Sequence, residues 1–237
     1  MHQLGQTRSA RRADHLFKTP DTFVRAPLPG MQGATAIVHA SPAIGAKFTE
    51  YTAEMDSGGR LGPTAMQRFV YVLDGVVTAN GAELGPGRFA YLPSGSDKAV
   101  VAKMKSRVEV IEKPYLEVPG VDAPGLLLGD ESRVTPVALN GDPWLEVRVL
   151  LPDSPAFDFA VNTMTYQPGA SLSMVEVHVM EHGCLMLEGG GIYRLGDSWY
   201  AASAGDFIWM APYCPQWFGA IGKTPAKYLI YKDWNRV

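Results

Sequence analysis

The feature that most constrains the fold of this chain is an internal repeat. The segment FVYVLDG (Phe69–Gly75) in the first half matches GCLMLEG (Gly183–Gly189) in the second half. Each copy continues with a glycine-x-phenylalanine segment that runs to a proline, and then with a short apolar segment that begins at Val110 or Leu229. Because the order and spacing of these segments persist with small insertions, the sequence predicts two copies of one folding unit.

Short runs of β-branched and aromatic residues, separated by glycine and proline, fill both copies. Examples are residues 69–77, 99–110, 145–151 and 228–232. Such runs predict an all-β sandwich or barrel, and an apolar content of 46% is enough for a sizeable core. We therefore expect two tandem β-barrels, at residues 1–116 and 131–237, joined by a linker at 117–130 that contains proline and glycine.

The charge balance and the N-terminal sequence argue against several classes of protein. A net charge of -3 does not indicate a nucleic-acid partner, because such proteins usually carry a basic excess. The N-terminal segment has no apolar stretch typical of a signal peptide, and no apolar run is long enough to span a membrane. We expect a cytoplasmic protein with Cys184 and Cys214 as reduced core thiols and with Arg8, Arg11 and Arg12 in a solvated terminus.

Three candidate metal ligands lie close together in the second copy. Alternating valines over residues 175–179 favour a strand, on which Glu176 and His178 would point to the same face, roughly 6.6 Å apart. His182 has the same parity but would lie about 13 Å from His178 along a straight strand. It can join the other two only if the chain turns near Glu181.

A fourth ligand must come from another segment, and Gln216 is the best candidate. One carboxylate, two imidazoles and an amide carbonyl suit Mn, Fe, Ni or Zn, and the absence of thiolate argues against a closed structural zinc site. Residues 178–182 also spell H-x-x-E-H, an inverted zinc-peptidase motif, but the surrounding valines and glycines disfavour the helix that it needs. Two further alternatives stay open: core histidines without a metal, and a metal site with different chemistry.

These residues resemble the two conserved motifs of the cupin superfamily. In the first motif, usually G-x5-H-x-H-x3/4-E-x6-G, Glu176 replaces the first histidine, His178 is the second, and His182 replaces the glutamate. In the second motif, Gln216 stands where a histidine is usual. This E-x-H-x3-H…Q variant within a duplicated chain resembles the (S)-ureidoglycine aminohydrolase family, and the likeness extends to the C-terminal segment IYKDWNR.

The resemblance implies a fold, a cofactor and an activity. It implies a bicupin, two tandem jelly-roll barrels, in which the C-terminal barrel holds Mn²⁺ through Glu176, His178, His182 and Gln216. The implied enzyme is a hydrolase of allantoin degradation, which releases ammonia from the ureide (S)-ureidoglycine and leaves (S)-ureidoglycolate. A differently catalytic or non-catalytic cupin is the alternative: a module that binds sugars or small carboxylates, an isomerase or a dioxygenase.

The resemblance also implies roles for residues beyond the ligands. Tyr193, Tyr228 and Lys232 match substrate-contacting residues of the family, and Glu176, Tyr193 and Lys232 are the candidate catalytic residues. We expect Lys232 to act as the counter-ion of the substrate carboxylate. The family's linker glutamate has no clear match, although Glu117 lies nearby in the sequence.

The first copy carries no histidine at the equivalent positions. Thr64, Arg68 and Asp97 fall at or near them, so we expect a degenerate site in a barrel with a structural or dimerising role. Because exposed edge strands need to be covered, we also expect a homo-oligomer, at least a dimer.

Overall fold

A computed structural model of the protein describes residues 6–236, and it confirms the all-β prediction. The strands are β1 (Ala10–Arg11), β2 (His15–Lys18), β3 (Arg25–Ala26), β4 (Met31–Ala40), β5 (Thr49–Leu61), β6 (Gln67–Asp74), β7 (Val77–Ala79), β8 (Ala82–Leu84), β9 (Arg88–Leu92), β10 (Val100–Ala102), β11 (Ser106–Lys113), β12 (Leu127–Asp130), β13 (Val137–Leu139), β14 (Asp142–Val149), β15 (Ala160–Tyr166), β16 (His182–Glu188), β17 (Gly190–Leu195), β18 (Ser198–Ser203), β19 (Phe207–Met210), β20 (Gln216–Ala220) and β21 (Ala226–Lys232). Short 3-10 helices lie at Pro20–Thr22, Pro42–Ile44 and Glu131–Arg133. Within residues 6–236, no helix has the length and apolar character needed to cross a membrane.

The chain divides into two compact units whose limits differ from the barrels expected from sequence. The N-terminal unit is Val24–Val134, and the C-terminal unit combines the residues up to Phe23 with those from Thr135 onward. The reason is strand pairing, because β2 pairs with β19 and so extends a sheet of the second copy. The expected linker also contributes a strand, since β12 pairs with β9.

The N-terminal unit is built on one antiparallel sheet of ten strands. Its main path has the order β12-β9-β6-β11-β5-β10-β7-β8, and β4 joins through β5, with β3 paired to β4. Alternate residues of its strands enter one apolar core that includes Tyr51, Val70 and Val110. Since side chains alternate across a strand, a single sheet encloses this core only by curling around it.

The C-terminal unit has a sheet of eight strands, in the order β1-β2-β19-β16-β21-β15-β14-β13, and a sheet of three, β18-β17-β20. Aromatic side chains connect the two sheets through a shared core. The Phe218 ring lies 5.3 Å from Tyr193 on its own sheet, and 4.9 Å from Tyr166 and 5.8 Å from Tyr228 on the larger sheet. Such aromatic pairs add specific geometry to the burial of apolar surface.

A glycine in the left-handed region ends the matched strand of each copy. Gly75 follows β6 with φ 79°, and Gly189 follows β16 with φ 63°. A Cβ at Gly75 would clash with Ser106, and one at Gly189 would clash with the backbone of Pro225. Only glycine combines this conformation with such close backbone approach, which explains why the repeated segment ends in glycine in both copies.

Arg8, Arg11 and Arg12 are exposed, as expected for a solvated terminus, and Arg8 also anchors the N-terminal segment. Two guanidinium nitrogens of Arg8 contact the two carboxylate oxygens of Asp206 at 2.6 and 2.9 Å. Asp206 is fully buried, so its charge needs such a partner. Planar bidentate pairing of this kind is specific to arginine.

Candidate metal centre and active site

Inward-facing rows of side chains bring two of the predicted site residues together. On β16, Cys184 and Met186 enter the core, and His182 shares their parity. On β21, Ile230 enters the core and Lys232 shares its parity. His182 and Lys232 are direct partners in the antiparallel register, so both project from the same end of the core row.

Glu176 and Gln216 meet through their backbones. The Glu176 amide donates to the Gln216 carbonyl at 2.8 Å, and the Gln216 amide donates to the Glu176 carbonyl at 2.9 Å. This isolated bridge corrects the expectation of a strand over residues 175–179. The valines there are exposed. Their β-branched character indicates strand propensity, but this segment pairs with β20 through a single bridge at Glu176.

The turn required near Glu181 is present, and it carries His178 toward His182. The rings of His178 and His182 lie 5.3 Å apart, edge to face, and His178 Nε2 lies 3.1 Å from Glu176 Oε2. The His178 carbonyl accepts a 2.6 Å bond from the Tyr213 amide. Tyr213 has φ 64°, an uncommon conformation outside glycine that is found preferentially at functional sites.

The His182 imidazole is buried and neutral. It is 2% exposed, and neither ring nitrogen makes a hydrogen bond of ordinary geometry within residues 6–236. Burial, together with the neighbouring Lys232 and His178, lowers the pKa of His182 to about 3. A buried polar side chain without partners is costly, and a cation that accepts a nitrogen lone pair would remove that cost.

Gln216 is held in place by Tyr193. The Tyr193 hydroxyl donates to Gln216 Oε1 at 3.0 Å, and both side chains are buried. Burial raises the pKa of Tyr193 well above its ordinary value, so the phenol keeps its proton and remains a donor. Tyr193 therefore fixes the amide with its carbonyl oxygen directed inward, where a second lone pair is available.

Tyr228 lies deeper in the same core. Its hydroxyl is 2.8 Å from the Tyr166 hydroxyl and 3.3 Å from Met164 Sδ. Burial is the largest cause that raises the pKa of both tyrosines. The hydrogen bond with Tyr228 partly opposes the shift of Tyr166, whereas the nearby Tyr166 adds to the shift of Tyr228. Neutral phenols in contact can exchange donor and acceptor roles, so Tyr228 can reorient its proton toward a bound molecule.

Lys232 is the unpaired positive charge of the site. It is partly buried, and no hydrogen bond or ion pair within 4 Å engages its ammonium among the described residues. Burial lowers its pKa, and the Glu176 carboxylate opposes that shift. An anionic group would complete the environment of this lysine, and its role as counter-ion of the substrate carboxylate stays a prediction.

Sequence reasoning missed Asn162, which also faces inward. It lies on β15 with the parity of Met164 and Tyr166, is 7% exposed, and its Oδ1 has no hydrogen-bond partner within residues 6–236. The signal in the sequence is an amide at an inward position of a strand that otherwise presents apolar and aromatic side chains. Its oxygen is available to an N–H of a bound molecule.

The N-terminal unit fills the equivalent place with an ion pair. Arg68 pairs with Glu112 and Leu92 in its sheet, as His182 pairs with Lys232 and Met210. The guanidinium of Arg68 reaches Glu112 at 2.6 Å beside a small cavity of about 80 Å³. Both charges of the pair are satisfied internally, so this position offers no free ligand.

The other residues aligned with the site lie outside any cluster of ligands. Thr64 uses its hydroxyl to accept from the Met66 amide at 3.2 Å. The Asp97 side chain is 83% exposed and pairs with Lys98, and Glu117 is exposed in the N-terminal unit. The expected degenerate site is therefore consistent with the side chains found there.

The predicted donor set is partly assembled: among residues 6–236, Glu176 and His178 are in contact, but Glu176, His178 and His182 do not bring three ligand atoms within 4.8 Å of one another. Glu176 Oε2 and His178 Nε2 lie 3.1 Å apart, close to the roughly 3 Å between adjacent ligands that each lie about 2.1 Å from one ion. His182 supplies unpartnered buried nitrogens, and Gln216 supplies an oriented carbonyl. Mixed nitrogen and oxygen donors without thiolate suit Mn, Fe, Ni or Zn.

Comparison with known proteins connects this geometry to a family. A family model described as "Cupin domain" matches residues 162–231. The chain is 41% identical over 239 residues to a probable (S)-ureidoglycine aminohydrolase of Oryza sativa subsp. japonica, covering 98% of this chain and 77% of that protein. It is 40% identical over 240 residues to (S)-ureidoglycine aminohydrolase of Arabidopsis thaliana, covering 98% and 80%.

Solved structures share the fold over nearly the whole chain. The putative glyoxylate induced protein of Pseudomonas aeruginosa superposes with a TM-score of 0.90 at 28% identity, covering 99% of this chain and 93% of that one. Oxalate decarboxylase of Bacillus subtilis, in a structure described for its Mn(II) centres, superposes at 0.71 with 12% identity, covering 97% and 80%. The second likeness concerns the fold alone, whereas the curated relatives decide the assignment: the chain belongs to the (S)-ureidoglycine aminohydrolase family.

Proposed function

We propose that this protein hydrolyses (S)-ureidoglycine and releases ammonia, in a reaction that depends on a metal. The observation that carries the proposal is a buried neutral imidazole, His182, next to an unpaired lysine, Lys232, at the end of one inward row. In this proposal Glu176, His178 and Gln216 join that imidazole as ligands, which is supported by the contact of Glu176 with His178 and by the backbone bridge between Glu176 and Gln216. The names of the curated relatives supply the substrate class, a small ureide.

The reaction exchanges an amino group for a hydroxyl group on one carbon. Water adds to that carbon, the C–N bond breaks, and the amine leaves as ammonia with a proton derived from the water. In this proposal the Lys232 ammonium holds the substrate carboxylate, and the Tyr228 hydroxyl and Asn162 Oδ1 are available to the ureido group. A bound cation supplies positive charge at the reacting centre, as a Lewis acid.

Tyr193 and Glu176 are proposed to act on the metal ligands and on Lys232. Tyr193 is a positioning residue in this scheme, because its hydroxyl orients the Gln216 amide. Glu176 has two functions, since its carboxylate is a ligand and also supports the charged form of Lys232. Orientation of a substrate by such fixed groups lowers the entropic part of the barrier.

Manganese is the cation we propose. The donor set contains oxygen and imidazole nitrogen and no sulfur, which is compatible with Mn²⁺ and also with Fe, Ni or Zn. The family resemblance favours manganese over the others. Metal analysis of protein purified without chelator gives the identity directly.

The proposed activity is tested with freshly generated (S)-ureidoglycine. We expect stereospecific release of ammonia that a chelator abolishes and added Mn²⁺ restores, because the ligand set alone cannot supply the positive charge. Ammonia is measured with a coupled assay, and metal content is measured in the same samples. Protein that carries one equivalent of metal per chain and gives no turnover would remove the proposal.

We also propose that the protein is a homo-oligomer, at least a dimer. Edge strands such as β13 lie at the end of a sheet, and Val137 and Trp144 next to that edge are exposed large hydrophobic residues. Sedimentation at micromolar concentration is expected to show a species of at least twice 25.7 kDa. A single species at the mass of one chain would contradict the proposal.

A further inference from the structure

A second group of potential metal ligands lies in the C-terminal unit, apart from the residues assigned above. Asp14, His15 and Cys214 each offer a ligand atom, and these atoms lie within 4.8 Å of one another. The closest pair is Asp14 Oδ1 and His15 Nδ1, at 2.8 Å. Carboxylate oxygen, imidazole nitrogen and thiol sulfur together form a donor set typical of zinc.

Two turns from distant parts of the sequence bring these side chains together. Asp14 lies in the turn between β1 and β2, where its carbonyl accepts from the Ala211 amide at 2.9 Å. A second turn places the Cys214 amide on the Ala211 carbonyl at 3.1 Å. This second turn has proline at its second position and Tyr213, with positive φ, at its third, a pattern that fixes the direction of the chain.

The histidine of this group is held as metal-binding histidines usually are. His15 is 2% exposed, and its Nε2 lies 2.8 Å from the Tyr200 hydroxyl. Tyr200 is fixed in turn by stacking on Phe17, with ring centroids 4.8 Å apart. If Nε2–H donates to Tyr200, the lone pair of Nδ1 is directed at Asp14 and Cys214, as in sites where the second ring nitrogen is bound by an outer partner.

The absence of a side chain at Gly196 leaves room for the Asp14 carboxylate. Gly196 has φ 54°, and a Cβ there would lie 2.8 Å from Asp14 Oδ2. Any other residue would displace the carboxylate from the group. The Asp14 side chain is 42% exposed while His15 is buried, so an ion can reach the ligands from solvent.

We propose that Asp14, His15 and Cys214 bind a thiophilic divalent cation of the zinc class, with solvent at the remaining position. This site differs in chemistry from the one at Glu176, because it contributes a sulfur ligand and the other does not. The cation ties the N-terminal hairpin to the turn that leads into Gln216, and so it stabilises the chain that carries a ligand of the active site.

Binding at this site has a consequence for protons. Burial raises the pKa of the Cys214 thiol to about 12, so the thiol is protonated when no cation is present. A cation favours the thiolate, because its charge compensates the loss of solvation.

Cobalt(II) is the probe that separates the two sites. A Co²⁺–thiolate bond gives an intense charge-transfer band in the near ultraviolet, and nitrogen and oxygen ligands do not give this band. We expect the band to appear when Co²⁺ is added to metal-free protein, and Zn²⁺ to displace it. The other cysteine, Cys184, is fully buried in the core, and the variant Cys184→Ala is expected to keep the band.

The variant Cys214→Ser is expected to lose the band while Co²⁺ still binds at the other site. Asp14→Asn, a change at a partly exposed side chain, tests the same ligand set if Cys214→Ser folds poorly, and it is expected to weaken the band. Tyr200→Phe is expected to lower Zn²⁺ affinity by about 10–100-fold, the loss typical of an outer partner of a metal-bound histidine. Circular dichroism verifies that each variant is folded.

Two results would overturn the proposal. Folded wild-type protein that binds Co²⁺ without a charge-transfer band would show that Asp14, His15 and Cys214 form a hydrogen-bonded group only. A band that disappears in Cys184→Ala and persists in Cys214→Ser would place the sulfur ligand elsewhere. Both results are independent of turnover with ureidoglycine, so they leave the proposed activity to its own test.

Discussion

Replacing His178 with alanine is expected to lower metal affinity by at least about 100-fold and to abolish ammonia release. The change removes one of four proposed protein ligands, and loss of an outer-shell partner alone typically costs about 10–100-fold. His178 is the better histidine to change, because its side chain is 32% exposed whereas His182 is buried. The fold should therefore survive the loss of the imidazole.

The matched control is Val177→Ala. Val177 lies in the same segment, is 55% exposed, and points away from His178 in an extended chain. This variant should bind metal and release ammonia as the wild type does. Metal content by elemental analysis and affinity by competition with a chelator are measured for both. Normal metal affinity in His178→Ala would show that the ligand set is wrong.

The candidate ligands could be proposed from sequence because two of their relationships are local. In any extended chain, residues two apart such as Glu176 and His178 point to the same side, whether or not the segment belongs to a sheet. The requirement for a turn before His182 followed from the rise per residue alone. These arguments need no knowledge of partner strands, which is why the wrong expectation of a strand over residues 175–179 did not affect the choice of ligands.

Relationships between distant segments could not be predicted in this way. The N-terminal hairpin joins the C-terminal unit because β2 pairs with β19, and no feature of residues 15–18 specifies that partner. The group of Asp14, His15 and Cys214 depends on the same pairing, because Cys214 is 199 residues after His15 in the chain. In the same way, the sequence did not indicate that the Tyr193 hydroxyl donates to Gln216, and the expected contact of Tyr193 with substrate stays a prediction.

Replacing Lys232 with methionine is expected to reduce kcat/KM by about thirty-fold or more without loss of metal. Methionine keeps most of the side-chain volume and removes the charge. Truncating one partner of a desolvated charge pair typically costs about 2–5 kcal/mol, which corresponds to the stated decrease in kcat/KM. Burial already lowers the Lys232 pKa, so removal of the unpaired ammonium should leave the free enzyme at least as stable.

The control for this variant is Lys223→Met, which removes an exposed lysine from a loop of the same unit. It should retain wild-type kcat/KM, because a solvated charge contributes little at a distance. Near-native kcat/KM in Lys232→Met would show that the lysine does not bind the substrate carboxylate. Loss of metal from Lys232→Met would show instead that the lysine supports the ligand shell, through the Glu176 carboxylate that favours its charged form. Retained metal combined with a large fall in kcat/KM is the result that separates substrate binding from metal binding at this end of the core row.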